Sequence, residues 1–215
     1  LHNRRDIRPA RIGFPAVLGQ VDPLEVMRRL EKFLGMPVFE IPTLPPSIPG
    51  QRLSQLLVQA IQYNGGKVYD GMQAIAATPG ETGNLQTIWS EAAARQKPNR
   101  ARNFVLATGG ILGGGIVTTY EGVVKDTICN LPVPAVSDRK TWLNPQFLSE
   151  NAHPIFQAGL EIDRNFRPTD PQGIPFFDNL FAVGTSLAGA DYLRERSFEG
   201  VALATGYKLG KNLAD

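Results

Sequence analysis

Cysteine is almost absent. Cys129 stands alone, so an intrachain disulfide is impossible and paired thiolates cannot build a zinc site. Such sparing use of cysteine points to a reducing compartment. Charge of one sign is not in excess either. There are 22 Lys+Arg against 20 Asp+Glu, and a net charge of +2 over 215 residues leaves no nucleic-acid footprint. No segment reaches the ~20 apolar residues that a membrane helix needs. The uncharged run Phe104–Tyr120 carries five glycines and three threonines, and it reads as a strand followed by a glycine turn. A complete G-x-G-x-x-G, a Walker A sequence, an H-E-x-x-H and an EF-hand loop are all missing. The opening residues, Leu1-His2-Asn3-Arg4-Arg5-Asp6, show neither an initiator Met nor an apolar h-region. The chain is expected to begin inside a longer protein.

What is present is an ordinary globular composition, 42% hydrophobic and 20% charged. The 22 glycines and 17 prolines exceed the usual ~12% together. That excess favours a loop-rich α/β or α+β chain over a helix bundle. Arg11–Leu18 reads as a short buried strand. Asp22-Pro23-Leu24-Glu25 opens a helix with a capping carboxylate, a first-turn proline and an acid at the positive end. Gly35 stops it. Pro37–Ile41 is extended, and Pro42–Gly50 holds four prolines in nine residues. Ile41, Leu44 and Ile48 suggest that this stretch is a stiff crossing pinned against the protein. Arg52–Tyr63 carries Leu53, Leu56, Leu57, Ala60 and Ile61 at helical spacing, ended by Asn64-Gly65-Gly66.

Lys67–Ala77 and Asn84–Glu91 read as strands. Arg95–Arg102 is a polar basic connection and Asn103–Ala107 a buried strand. Between Thr118 and Pro175 periodicity is weak, with Trp142, Phe147, Phe156 and Phe166 scattered, so an excursion from the main sheet is expected. Asp178–Val183 is again a buried strand, and a final helix runs from Phe198 to about Asn212.

Two strands end in glycine. Ala107-Thr108-Gly109-Gly110 follows the first and Gly184-Thr185 the second. Glycines at carboxyl ends of strands let backbone amides approach a phosphate or ring. Taken alone, a tight turn is the better reading of the first. Gly184-Thr185-Ser186-Leu187-Ala188 approaches a nucleophile elbow, but the only histidines, His2 and His153, precede Ser186, and an esterase is rejected. His153 could accept a proton in a cleft. Among Arg139, Arg164, Arg167, Arg194 and Arg196, the last is the one to keep, because it lies between the glycine turn and the last helix. The helix start near Glu199-Gly200-Val201 could turn its amides toward an anion or an electron-rich ring.

The order of these pieces carries a resemblance. Thr43-Leu44-Pro45-Pro46-Ser47 through Gly50 and Arg52-Leu53, a helix ending in Gly65-Gly66, Phe104-Val105-Leu106-Ala107-Thr108-Gly109-Gly110, and Asn179-Leu180-Phe181-Ala182-Val183-Gly184 together resemble the C-terminal half of the B-subunit family of the anaerobic glycerol-3-phosphate dehydrogenases. Phe14-Pro15-Ala16 is similar to that family's F-P-A strand, and Ile128–Val133 to its segment after the A-T-G-G turn. The A-T-G-G and L-F-A-x-G pieces are shared with fumarate-reductase-like flavoproteins.

The resemblance implies an α/β fold, a partial Rossmann-like FAD/NAD(P)-binding domain with an inserted cap. It implies residues 1–49 as insert, 50–115 and 176–215 as the two parts of the flavin-binding domain, and 116–175 as cap. It further implies a flavin cofactor, FMN or FAD, and oxidation of sn-glycerol 3-phosphate to dihydroxyacetone phosphate in anaerobic respiration. The partners would be an FAD-containing A-type subunit and an iron–sulfur C-type subunit that anchors the complex at the cytoplasmic face of the membrane. The expected cofactor contacts are Gly109, Gly110, Gly184, Thr185, Gly200 and Val201, and His153 and Arg196 are the catalytic candidates. No metal site is expected. The family's N-terminal G-x-G-x-x-G unit is absent here, so this piece alone is expected to hold flavin weakly or not at all, and to be inactive by itself. A non-catalytic scaffold or electron-relay protein, or a flavin oxidoreductase of this group with another substrate, stays open beside the dehydrogenase.

Overall fold

Asp22 behaves as its place before a proline demands. In the computed structural model its Oδ1 accepts the Glu25 amide at 3.1 Å, and Pro23 opens helix α1, Pro23–Leu34. Gly35 closes that helix in the left-handed conformation, φ 66°. The structure describes residues 10–43, 46–93, 95–135, 138–146 and 150–214. Leu44 of the proline-rich crossing, Phe147, His2 and the first six residues lie outside them. The chain divides into two units, Leu1–Asp70 and Gly71–Asp215.

In the first unit, β1 (Ile12–Pro15) and β2 (Val38–Ile41) pair in parallel across α1, with Ile12 opposite Val38. Helix α2 spans Ile48–Tyr63, with the Ser47 hydroxyl accepting the Gly50 amide at 3.2 Å. Four residues more than expected become helical because Ser47 caps the chain and Pro49 fits the first turn. The expected apolar stripe is present, but it is not buried. Leu53, Leu56, Leu57 and Ile61 are each more than two-fifths exposed. Ile41, expected to pin the proline-rich crossing, is half exposed.

The signature arginine of the proline-rich run has a structural partner. Arg52 meets the Glu40 carboxylate with both terminal nitrogens, and its Nε donates to the Gly19 carbonyl at 2.7 Å. Glu40 Oε1 also accepts the Leu18 amide at 2.9 Å. The Arg52 hydrogen bond, followed by the Leu18 amide, holds the Glu40 carboxyl below its ordinary range against the opposing effect of burial. A depressed carboxyl stabilises the fold above its unfolded-state pKa, and that stabilisation is lost as pH falls through the lowered value. We expect Arg52→Ala to destabilise this unit by about 2 kcal/mol, read by hydrogen exchange at Val38–Ile41. It should also flatten the loss of stability below about pH 4. An unchanged acid limb would count against the pair.

The second unit holds the main core. β3 (Ala74–Pro79), β4 (Leu85–Ser90) and β5 (Lys97–Asn99) form an antiparallel sheet. Strand β3 starts later than Lys67 because Gly71 turns the chain at φ 71°. Strand β5 falls inside the expected basic connection. Among the described residues it pairs only with β4, an edge position where Pro98 costs no ladder bond. β6 (Phe104–Leu106) and β9 (Leu180–Ala182) pair in parallel, and β7 (Ile116–Thr118) and β8 (Val124–Asp126) form an antiparallel pair. Asn179 stitches the first two sheets together, because its side-chain amide exchanges hydrogen bonds with the Leu85 backbone at 2.7 and 2.9 Å.

The stretch between β6 and β9 does not leave the pair behind. Ile128, Leu131, Val133, Trp142, Ile155 and Leu160 pack into the same cluster as Phe104, Leu106, Leu180 and Ala182. Helices α3 (Tyr192–Glu195) and α4 (Phe198–Ala214) close the unit. Parallel pairs and helices together make this an α/β chain. No helix among the described residues is long and apolar enough to cross a membrane.

Cys129 lies in the turn after β8. Burial, and then the neighbouring charge of Asp126, push its thiol up to about 12. Only the thiolate reacts. Folded protein at pH 8 should therefore alkylate about a thousandfold more slowly than free cysteine, measured by mass spectrometry with iodoacetamide. Rapid labelling would show that the turn opens.

Candidate functional site

Because β6 and β9 run in parallel, their carboxyl ends lie side by side and both glycine turns emerge at one place. Gly109, Gly110 and Gly184 all have positive φ, at 91°, 61° and 69°. The Val183 amide donates to the Leu106 carbonyl at 3.0 Å, extending the pairing to the turn itself. Beyond it, the buried Ser186 crosses over. Its Oγ accepts the Gly109 amide at 3.2 Å and lies 3.2 Å from Thr108 Oγ1. A Cβ on Gly110 would come within 2.2 Å of the Thr185 carbonyl oxygen. Only glycine lets the two backbones touch there. The expected residues Gly109, Gly110, Gly184 and Thr185 are thus brought together.

Helix α4 approaches the same place. Its Thr205 Oγ1 accepts the Gly184 amide at 2.9 Å and donates to the Val201 carbonyl at 2.7 Å. Gly200 and Val201 sit in its first turn, but their backbones differ in use. The Val201 amide donates to the Ser197 carbonyl at 2.9 Å, within the helix ladder. A Cβ on Gly200 would meet nothing within 4 Å. Three of the six expected contacts, Gly109, Gly184 and Val201, thus have amides already engaged inside the protein.

One polar atom here has no partner among the described residues. Tyr192 is 1% exposed, yet its hydroxyl makes no hydrogen bond to any of them. It lies 3.3 Å from where a Gly110 Cβ would be, and its ring leans on Phe198 with centroids 4.4 Å apart. Burial, then the charge of Asp191, raises its phenol above the ordinary range, so it stays a donor at neutral pH. An orphaned donor at the crossing of two glycine turns fits a ligand rich in acceptor atoms. Tyr192→Phe should not lower the melting temperature of the ligand-free protein and should raise its stability by up to about 1 kcal/mol. A clear loss of stability would reveal a partner for the hydroxyl.

The catalytic candidates are placed differently. His153 is buried, its Nδ1 accepts the Asn144 amide at 2.9 Å, and its ring meets Phe156 edge-on. That nitrogen is therefore occupied by a backbone donor. Arg196 is exposed and caps α3 at φ 54°, a conformation that non-glycine residues seldom adopt. Arg167 is held by Asp163 and Asp178. No group of three or more metal-ligating side chains occurs among the described residues. Sequence reasoning does not single out Ser186, Tyr192 or Thr205 as ligand-site residues. Only the hydroxyl side chains flanking the glycines hint at them.

The sequence profile of the FAD binding domain family matches residues 4–197. Among curated proteins, the chain is 37% identical over 205 residues to the probable B subunit of an anaerobic glycerol-3-phosphate dehydrogenase from Halobacterium salinarum (strain ATCC 29341 / DSM 671 / R1), covering 95% of this chain and 47% of that protein. It is 32% identical over 191 residues to the B subunit of the anaerobic glycerol-3-phosphate dehydrogenase of Vibrio vulnificus (strain CMCP6), covering 89% and 43%. The chain spans about half the length of these relatives. No solved structure matches it. The resemblance drawn from the glycine turns and the proline-rich run holds, and the chain belongs to the FAD binding domain family.

Proposed function

We propose that the chain is the flavin-facing part of an oxidoreductase subunit of the glycerol-3-phosphate dehydrogenase (quinone) type. The observation that carries this is the crossing of the two glycine turns at the carboxyl ends of β6 and β9, beside the unpartnered Tyr192 hydroxyl. In this reading residues 50–115 and 176–215 hold the cofactor, 116–175 covers the substrate side and 1–49 belongs to an insert. FMN or FAD held there would supply two-electron oxidation, in which sn-glycerol 3-phosphate loses a hydride from C2 and a proton from the C2 hydroxyl to give dihydroxyacetone phosphate. The protein's part is positional. Gly110 and Gly184 would let backbone approach the ring, the first turn of α4 would set a partial positive charge beside it, and Tyr192 would offer its proton to an acceptor. His153 and Arg196 are the candidates for proton transfer and substrate charge. Partner subunits, one carrying FAD and one iron–sulfur clusters, would place the complex at the cytoplasmic face of the membrane.

A second reading is a protein that docks its partners or relays electrons without a catalytic flavin. The internally engaged amides of Gly109, Gly184 and Val201 favour it. An absorption spectrum of the full-length parent protein, followed by anaerobic addition of glycerol 3-phosphate, separates the two. A bound flavin that bleaches supports the dehydrogenase, and a colourless protein that takes up neither FMN nor FAD leaves the relay. Gly200→Trp sharpens the result, because its side chain enters open space. Flavin content should fall while the fold persists.

A further inference from the structure

A cleft of about 750 Å³ opens in the second unit, bordered from Ile111, the residue after Gly110, onward. Its walls are mostly carbon. Ile111, Leu112, Ile116, Ile155 and Phe156 line it, with Trp142 beside them. Two consecutive cations, Arg139 and Lys140, also border it. None of Gly109, Gly110, Gly184, Thr185, Gly200 and Val201 borders it. Its volume lies in the range of small-molecule sites, and an apolar wall with a few placed polar groups is their usual composition.

The two cations are positioned by backbone. Asp138 caps their short 3-10 turn, Arg139–Thr141, and its carboxylate accepts the Lys140 amide at 3.0 Å. Arg139 is steadied by the Tyr120 carbonyl at 3.2 Å and by the Trp142 ring, 5.1 Å from its guanidinium carbon. Neither side chain forms an ion pair among the described residues. A guanidinium carries five donors, and the bond to Tyr120 uses one of them.

We propose that this cleft is a second binding site, for an amphipathic organic anion. A ring-sized apolar body would lie along Ile111, Ile116 and Phe156, with one carboxylate or phosphate set between Arg139 and Lys140. A small polyol phosphate does not suit it, since such a ligand has nothing to cover the hydrocarbon wall. The two charges make a purely neutral ligand equally unsuited.

The test uses 2-naphthoate as the probe and the fluorescence of Trp142 as the reporter, in a Trp89→Phe background. Trp89 is the only other tryptophan. The expected result is saturable one-to-one quenching by naphthoate. Lys140→Glu, an exposed substitution, should weaken naphthoate about tenfold. Its effect on the neutral analogue 2-naphthalenemethanol should stay under about twofold. Arg139→Gln with Lys140→Gln should act in the same sense. Addition of FMN should not displace the probe. Quenching that never saturates, equal losses for the neutral and charged probes, or displacement by FMN would each overturn the proposal.

Discussion

Replacing Gly110 by alanine is expected to remove a large share of the stability of the second unit. The φ of 61° there costs an alanine about 1 kcal/mol by itself. The contacts cost more. The new Cβ would lie 2.2 Å from the Thr185 oxygen and 3.0 Å from its carbonyl carbon. Both are backbone atoms of the opposite turn, which is tied down by the Gly184 amide on Thr205 and by Ser186 on Gly109. No flexible side-chain end can give way, so the turns must part. We expect a loss of more than about 3 kcal/mol, on the scale of core-disrupting substitutions and a large share of a typical 5–15 kcal/mol stability. Gly114→Ala is the control. Its φ is 80°, but a Cβ there would meet nothing within 4 Å, so only the conformational cost remains. Urea denaturation followed by circular dichroism should put the two variants at least about 2 kcal/mol apart. Equal midpoints would mean that the turns are not in contact.

Local signals in the sequence carry far. Asp22-Pro23 and Gly35 bound α1 correctly because capping involves residues within one helical turn. The two hydrophobic stretches ending in glycine are β6 and β9, side by side. What cannot be read is what joins residues distant in the chain. Ser186 bonds to a turn 77 residues earlier, and Asn179 to a strand 94 residues earlier. Neither pairing leaves a local pattern. The stripe on α2 shows the opposite limit. Its period is helical, yet period alone does not say what covers the face. The described residues of 116–175 lack periodicity because they pack as turns and a short strand pair, and their apolar side chains still enter the common core. The cleft beside Trp142 leaves no sequence pattern for the same reason, since its walls come from three separate segments.

Asp126→Ala is the second large effect we expect. The side chain is 1% exposed and its two oxygens accept three backbone amides, from Ile128 at 3.1 Å, Cys129 at 2.7 Å and Leu131 at 3.4 Å. Alanine would leave those donors facing a void, and a buried unsatisfied group costs about 1–3 kcal/mol. The summed loss should be about 3–5 kcal/mol, because the amides share one turn and can partly relax. Asp126→Asn keeps one oxygen as acceptor but brings two donors of its own, so it should cost less, about 1–2 kcal/mol. The consequence reaches the glycine loop. Next in the chain, Thr127 holds the Gly115 carbonyl with both its amide, at 3.1 Å, and its hydroxyl, at 3.2 Å. Gly115 in turn donates to the Gly110 carbonyl at 2.8 Å. If this series of bonds braces the crossing, Asp126→Asn should speed hydrogen exchange at the Gly115 amide while leaving β3 and β4 protected. Uniform loss of protection over the whole unit would mean instead that Asp126 supports the core without a special link to the glycine turns.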